Sequence, residues 1–155
     1  MRRHVYYYTH VAPSCEQAAE WLAGDPARWL PAPAEPDSDG WEVVLHAEGV
    51  LPVGLATRSA CVCVGKPTHS EQRLLVPVAW QAVGRESHFP VLQADLGLEA
   101  LGDSGCHLSL MGTYRPPLSV VGGAADALHE HRVAEATVRG FLLDVADRLM
   151  SVDVR

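Results

Sequence analysis

The C-terminal part of the sequence carries one long helical repeat. Apolar positions from Leu128 to Leu149 recur at alternating spacings of three and four, and charged residues fill the opposite face. This spacing predicts a single helix from about residue 126 to 150, roughly 37 Å long. Because a helix with one apolar stripe must bury that stripe, the rest of the chain has to supply a surface of similar length.

Segments with an alternating, strand-like pattern precede this helix. They are "RHVYYYTHV", "GWEVVLHAE", "LATRSACVCVG", "RLLVPVAWQAVG", "VLQADLGLEALG" and "SGCHLSLMGTY". From Trp41 onward no helical pattern separates them, which favours an antiparallel meander, and Pro77 predicts an edge position or a bulge. The sequence therefore predicts an α+β helix-grip fold. In it, a curved antiparallel sheet of six to seven strands wraps around the C-terminal helix.

A short helix is expected between the first two strands. Ser14 is a suitable N-cap and Gln17 follows three residues later, as in a capping box. The segment 24–26, Gly-Asp-Pro, ends this helix, and the Pro- and Asp-rich segment 31–40 is predicted to be an exposed loop. With 155 residues, the chain is expected to form a single domain over residues 1–155.

Charge and hydropathy argue against two classes of partner. The formal net charge is -7, and Lys66 is the only lysine, so a phosphate-binding surface and a nucleic-acid partner are not expected. No segment approaches the ~18 apolar residues of a membrane span, so no membrane insertion is expected. Arg2 and Arg3 precede an alternating segment rather than the apolar core of a signal peptide, which predicts a cytoplasmic protein with reduced cysteines.

Metal and cofactor motifs are not found. Cys61 and Cys63 share one strand face, but the second pair of ligands that a structural zinc site needs is missing, so both are predicted to be small core residues. His129 and His131 point to different faces of the helix. Without a GxSxG, Walker or dinucleotide-binding motif, neither a metal nor a cofactor is expected, and the catalytic residues of any enzyme activity are unknown.

The order of these elements resembles the START-like, or SRPBCC, superfamily, which includes Bet v 1-type proteins and polyketide cyclases. The opening is similar to that superfamily's usual entry, with Ala12-Pro13, Trp21, Asp25 and Trp29 in the segment "APSCEQAAEWLAGDPARWLP". The segments "LLVPVAW", "HFPVLQADLGLEALG", "LSLMGTYRPPLSVVG" and "HRVAEATVRGFLLDVADRL" resemble a small actinobacterial group known only at superfamily level. The resemblance covers nearly the whole chain and concerns order and spacing, so it bears on fold more than on chemistry.

The resemblance implies a cavity between the sheet and the C-terminal helix that holds a small hydrophobic molecule such as a lipid, a polyketide or an aromatic compound. The apolar strand faces are compatible with such a cavity, with Trp41 and Trp80 as flat walls. They are equally compatible with a solid core, because no periodicity separates the two. A homodimer is also compatible with the sequence.

Six residues are candidates for ligand binding: Arg58, Trp80, Tyr114, Arg115, His131 and Glu135.

Each polar candidate also has a plainer interpretation. His131 and Glu135 stand one helical turn apart and could act as an acid/base pair, or form an ion pair at the solvent edge. Tyr114 and Arg115 end the last strand and could bind a carbonyl or carboxylate, although Arg115 could instead contact loop carbonyls or an acidic side chain. Arg58 is either a ligand contact or a surface residue.

Three functions follow from these observations. The first is binding of a small hydrophobic ligand. The second is a polyketide aromatase or cyclase that uses polar groups of the same cavity, and the third is a core-filled interaction module without a ligand.

Overall fold

A computed structural model describes residues 2–11, 14–38, 40–46, 57–82, 91–102, 105–115 and 124–151. Its strands are β1 (Arg3–Val11), β2 (Glu35–Asp37), β3 (Gly40–His46), β4 (Thr57–Val64), β5 (Thr68–Ser70), β6 (Arg73–Ala82), β7 (Val91–Ala100) and β8 (Cys106–Arg115). Its helices are α1 (Cys15–Leu22) and α2 (Ala124–Met150), with a 3-10 turn at Pro26–Arg28.

All eight strands belong to one curved antiparallel sheet. The order is β1-β8-β7-β6-β4-β3-β2, and β5 pairs with β6 beside this path. Six strands are long and correspond to the six predicted segments, while β2 and β5 have three residues each and raise the count above the six to seven expected. The predicted α+β helix-grip fold is confirmed.

The terminal helix packs its predicted apolar stripe against the sheet. Val138, Leu142 and Val145 are among the most buried residues of the described chain. The helix contacts β1 and β3, which lie near opposite ends of the strand order, so the sheet closes on it from both sides. At Gly140 a Cβ atom would come within 2.5 Å of the His46 carbonyl oxygen, so glycine permits this close approach.

The first helix and its turn lie against the far end of α2. The Ser14 hydroxyl accepts a hydrogen bond from the Gln17 backbone N–H at 3.3 Å, as the capping pattern predicts. Arg148 donates from Nη2 to the Ala27 carbonyl oxygen at 3.0 Å. This contact fixes the 3-10 turn to the last turns of α2.

Pro77 lies where the neighbours of β6 change. On the side of β6 opposite β7, the segment from Val78 to Ala82 pairs with β4, and the segment from Arg73 to Leu75 pairs with β5. Between these ladders the Pro77 carbonyl oxygen accepts a hydrogen bond from the Gly65 N–H at 2.7 Å. A residue without an N–H is tolerated here because no strand faces it across the gap.

The strand alternation separates an inner face towards α2 from an outer face towards solvent. On β4 the inner positions are Ala60 and Val62, both fully buried. Cys61 is half-buried and Cys63 is exposed, both on the outer face, so the prediction that these cysteines fill the core is wrong. Alternation alone does not tell which of two mildly apolar faces is the inner one.

Candidate functional site

A chain of hydrogen-bonding side chains joins β8 to the first half of α2. Tyr114 lies on the inner face of β8 and is only 2% exposed. Its hydroxyl is hydrogen-bonded to Nδ1 of His131 on α2. His131 Nε2 lies 2.8 Å from Oε1 of Glu135, one turn further along the helix. The structure thus brings together three of the six predicted site residues.

The chemistry of the three groups fixes where their protons lie. An ionised carboxylate only accepts hydrogen bonds, so the His131 nitrogen facing Glu135 carries a hydrogen. In the neutral imidazole the other nitrogen, Nδ1, is then an acceptor, and the Tyr114 hydroxyl donates to it. With a neutral His131, hydrogen-bond donation therefore runs from Tyr114 through His131 to Glu135.

Two residues of β1 complete this cluster and were not identified from the sequence. Arg3 is paired with Tyr114 across the strands, and the positive charge of its guanidinium acts on the Tyr114 hydroxyl. The Tyr7 hydroxyl, on the same face of β1, interacts with the negative charge of Glu135. The available signal was the alternation of β1, which puts Arg3 and Tyr7 on one face, but only the strand register shows that this face meets Tyr114.

Burial raises the pKa of both tyrosine hydroxyls in the cluster. It is the main cause that raises the pKa of Tyr114, helped by the negative charge of Glu135 and opposed by the Arg3 guanidinium. Burial also raises the pKa of Tyr7, together with the negative charge of Glu135, and the charge of Arg139 opposes this. Both hydroxyls are therefore protonated, and able to donate, throughout the physiological pH range.

The cluster leads from solvent into the interior. The Glu135 side chain is 40% exposed and that of His131 27%, whereas Tyr114 is buried. Two contacts, Tyr114 to His131 and His131 to Glu135, therefore connect a buried hydroxyl with the solvent-exposed rim. The pair on α2 is neither fully buried nor simply on the surface, because it spans the boundary between the two.

Trp80 lies in the same row of the sheet as Tyr114. The register places Trp80 on β6 opposite Leu92 on β7, and Leu92 opposite Tyr114, so the two aromatic residues are about 10 Å apart, two strand spacings. Trp80 is buried and packs edge-on against Phe141, with ring centroids 4.9 Å apart. Its indole Nε1 is buried without a hydrogen-bond partner among the described residues.

Of the other two predicted residues, Arg115 does not join this cluster, and Arg58 is described only in its backbone. Arg115 follows Tyr114 directly and points to the outer face, where it lines a small groove with Arg2 and Val91. Arg58 lies in β4 opposite Leu45, and its side chain is outside the described part of the chain. No group of three or more metal-ligating side chains occurs among the described residues.

A larger groove, of about 570 Å³, lies on the outer face of the sheet. It crosses β4, β6, β7 and β8, and its outward side chains include Cys63, Ala79, Gln93 and Met111. This groove is separated from the Tyr114 cluster by the thickness of the sheet. None of the helices in the described ranges is long and apolar enough to cross a membrane.

These features define a class of protein: a helix-grip domain whose inner face ends in a polar cluster beneath the first half of the helix. No protein-family model matches the sequence, and no curated protein sequence matches it. Among solved structures, the chain is similar to a truncated norcoclaurine synthase from Thalictrum flavum, with 11% identity and a TM-score of 0.55 over 98% of this chain and 93% of that one.

Two further structures show the same likeness. An uncharacterised protein from Bacillus thuringiensis is 15% identical, with a TM-score of 0.57 over 99% of this chain and 100% of the other. Ara h 8.0201 is 10% identical, with a TM-score of 0.56 over 97% and 99%. The chain therefore shares the overall fold of these solved structures.

Proposed function

We propose that this protein binds a small hydrophobic molecule between the sheet and the first half of α2, and that the Tyr114 cluster holds the oxygen-containing end of this molecule. The observation that carries the proposal is the buried Tyr114 hydroxyl, which faces inward and is linked to the protein rim through His131 and Glu135. A polar chain of this kind on an otherwise apolar inner face is typical of a ligand site with a few placed polar groups.

The charges of the cluster favour one class of polar end. Arg3 and Arg139 bring two positive charges to the cluster, and Glu135 brings one negative charge. A ligand carrying a carbonyl, phenol or carboxylate oxygen would accept hydrogen bonds from Tyr114 and Arg3. An amine would instead meet two guanidinium groups, so a cationic ligand is disfavoured.

The likeness to solved structures supports the proposal at the level of fold. One norcoclaurine synthase structure with this fold is a complex with dopamine and hydroxybenzaldehyde, which are small aromatic molecules, and it is 12% identical to this chain. The shared fold and the chain's own Tyr114 cluster together support our proposal of an aromatic or other apolar ligand.

Binding of an apolar fluorescent dye, anilinonaphthalene sulfonate, tests the proposal. We expect one dye per chain in the folded protein, displaced by a fatty acid or by a polycyclic aromatic carboxylate. Tyr114→Phe keeps the ring but removes the donor, so the carboxylate should bind about 3- to 10-fold more weakly, as loss of one hydrogen bond of ~1 kcal/mol predicts. A matching hydrocarbon without the carboxylate is the control ligand and should be unaffected.

The outer groove needs its own control because it is also apolar. Met111→Glu changes the outer groove and leaves the inner face intact, so dye bound inside should survive this substitution. Trp80→Ala is unsuitable as a binding test, because Trp80 is a core residue whose loss would cost ~3–5 kcal/mol of stability. If the folded protein binds no dye, or loses it in Met111→Glu, the interior site is refuted and the core-filled module is favoured.

An aromatase or cyclase activity is the second candidate, and the Tyr114–His131–Glu135 chain specifically favours it. In this hypothesis the Tyr114 hydroxyl turns from Nδ1 of His131 to a carbonyl oxygen of the substrate. The freed Nδ1 takes up a proton from the carbon between two carbonyls, and Tyr114 and Arg3 hold the resulting enolate oxygen. Deuterium exchange at the central carbon of a β-diketone, followed by NMR, tests it. Catalysed exchange that disappears in His131→Gln supports an enzyme, whereas exchange at the rate of buffer alone excludes this candidate.

A further inference from the structure

The outer face of the sheet carries an apolar ridge. Tyr6 and Tyr8 on β1 project from it with 52% and 60% exposure, and Met111 on β8, directly opposite Tyr6, is 49% exposed. We call these three residues the ridge. Most of the exposed large apolar residues of the described chain lie on this face. Exposed apolar groups that cluster in this way indicate an interaction surface.

A hollow lies beside the ridge on the same face. It is the part of the 570 Å³ groove bounded by Cys63, Gly65, Pro77 and Ala79, which we call the hollow. Its side chains are small, and it opens where β4 ends and β5 has not yet begun. At Gly65 a Cβ atom would come within 2.9 Å of Pro77, so a larger residue there would change the floor of the hollow.

We propose that this face binds a second copy of the chain in a two-fold dimer, in which the ridge of each protomer enters the hollow of the other. The ridge and the hollow lie side by side on one surface. A two-fold axis that runs between them therefore places the ridge of each protomer opposite the hollow of the other. Such an isologous contact is closed and needs no other partner. The face is thus self-complementary in shape.

The charges of the face allow two copies to approach. The chain has a net charge of -7, so two copies repel each other at most orientations. The outer faces of β1, β8, β7, β6 and β4 carry two acidic side chains, Asp95 and Glu99, and two basic ones, Arg73 and Arg115. This face is therefore close to neutral, and the excess negative charge lies elsewhere.

The size of the face is also adequate. Five strands about 4.8 Å apart and up to ten residues long cover roughly 24 by 33 Å, or about 800 Å². A standard protein–protein interface buries about 800 Å² on each partner. The face as a whole therefore matches what a specific dimer requires.

Sedimentation equilibrium over a range of protein concentrations tests the proposal. We expect the wild-type chain to dimerise, and Met111→Glu to weaken the dimer at least tenfold because it places a charge in the partner's hollow. Leu143→Glu is the matched control, since Leu143 is an exposed leucine on α2, 37% exposed and away from this face. A wild-type monomer at all concentrations, or equal effects of the two substitutions, overturns the proposal.

A cross-link distinguishes this arrangement from any other dimer. Met111→Cys places a thiol on the ridge, opposite the partner's Cys63 in the proposed dimer. Mild oxidation should then give a disulfide-linked dimer, and the added substitution Cys63→Ser should abolish it. A cross-link that persists without Cys63, or none at all in a dimeric protein, shows that ridge and hollow do not meet. Neither result bears on dye binding inside the grip, so the two proposals fail separately.

Discussion

The two halves of α2 contact the sheet through different chemistry. From Val138 to Leu149 the inward residues are apolar and almost completely buried, and Phe141 packs on Trp80. From His131 to Glu135 the helix instead presents two polar groups. His131 is hydrogen-bonded to Tyr114 of β8, and the charge of Glu135 acts on Tyr7 of β1. One element therefore has an apolar contact and a polar contact with the same sheet.

The apolar part of α2 therefore contributes stability, and the polar part is available for function. Burial of apolar surface in the second half holds the helix on the sheet, at ~25 cal/mol per Å² of surface removed from water. A half-buried polar chain contributes less net stability, because each of its hydrogen bonds replaces one to water. The second half therefore fixes the position of the helix, and the first half can be occupied by groups suited to a ligand.

The largest expected effect is in the apolar half. Leu142→Ala should lower the free energy of unfolding by roughly 2–5 kcal/mol, because it leaves a cavity in a close-packed region. The neighbouring exposed Leu143→Ala is the control and should change it by no more than about 0.5 kcal/mol. Urea denaturation measures both. Equal losses at the two positions would mean that the halves of α2 do not differ as described.

A smaller effect is expected at Gly140, near the start of the apolar part of α2. Alanine is the better helix former by about 1 kcal/mol, but its Cβ would lie 2.5 Å from a backbone carbonyl that cannot rotate away. We therefore expect Gly140→Ala to lower the free energy of unfolding by about 1 kcal/mol net. An increase in thermal stability would show that β3 can move away from α2 at little cost.

The smallest effect concerns the pKa of Tyr114 in the polar half. Burial raises this pKa above the ordinary value of 10.0, so the folded state favours the protonated phenol. The stabilisation is fully present below pH 10 and is lost as the pH rises through the folded-state pKa. The tyrosinate absorbance that wild type shows and Tyr114→Phe lacks should appear only above pH 10. Its appearance below pH 10 would mean that the phenol is not buried.

The fold could be predicted because its main elements are long enough to show a period. The spacing of three and four from Leu128 to Leu149 predicted a helix over residues 126–150, and the structure has α2 at Ala124–Met150. The strands β2 and β5 were not predicted, since three residues are too few for an alternation to be visible. They form because the neighbouring strands β3 and β6 have an edge to pair with.

The candidate site could be predicted only where it depends on local spacing. The separation of four residues between His131 and Glu135 predicts contact on a helix, whereas the meeting of Arg3 and Tyr114 depends on the pairing of the first and last strands. Successive strand residues point to opposite faces, a signal that the grouping of Tyr114 with Arg115 in one candidate site did not use.

The pairing of β1 with β8 has a consequence for how the protein is made. Arg3 is paired with Tyr114 and Val11 with Cys106, so the first strand of this sheet in chain order forms its ladder with the last one. Until β8 is synthesised, β1 is unpaired and can pair with the β8 of a neighbouring chain instead. Closure of the sheet therefore waits for β8, and exchange of β1 between chains is favoured where several unfinished chains lie close together.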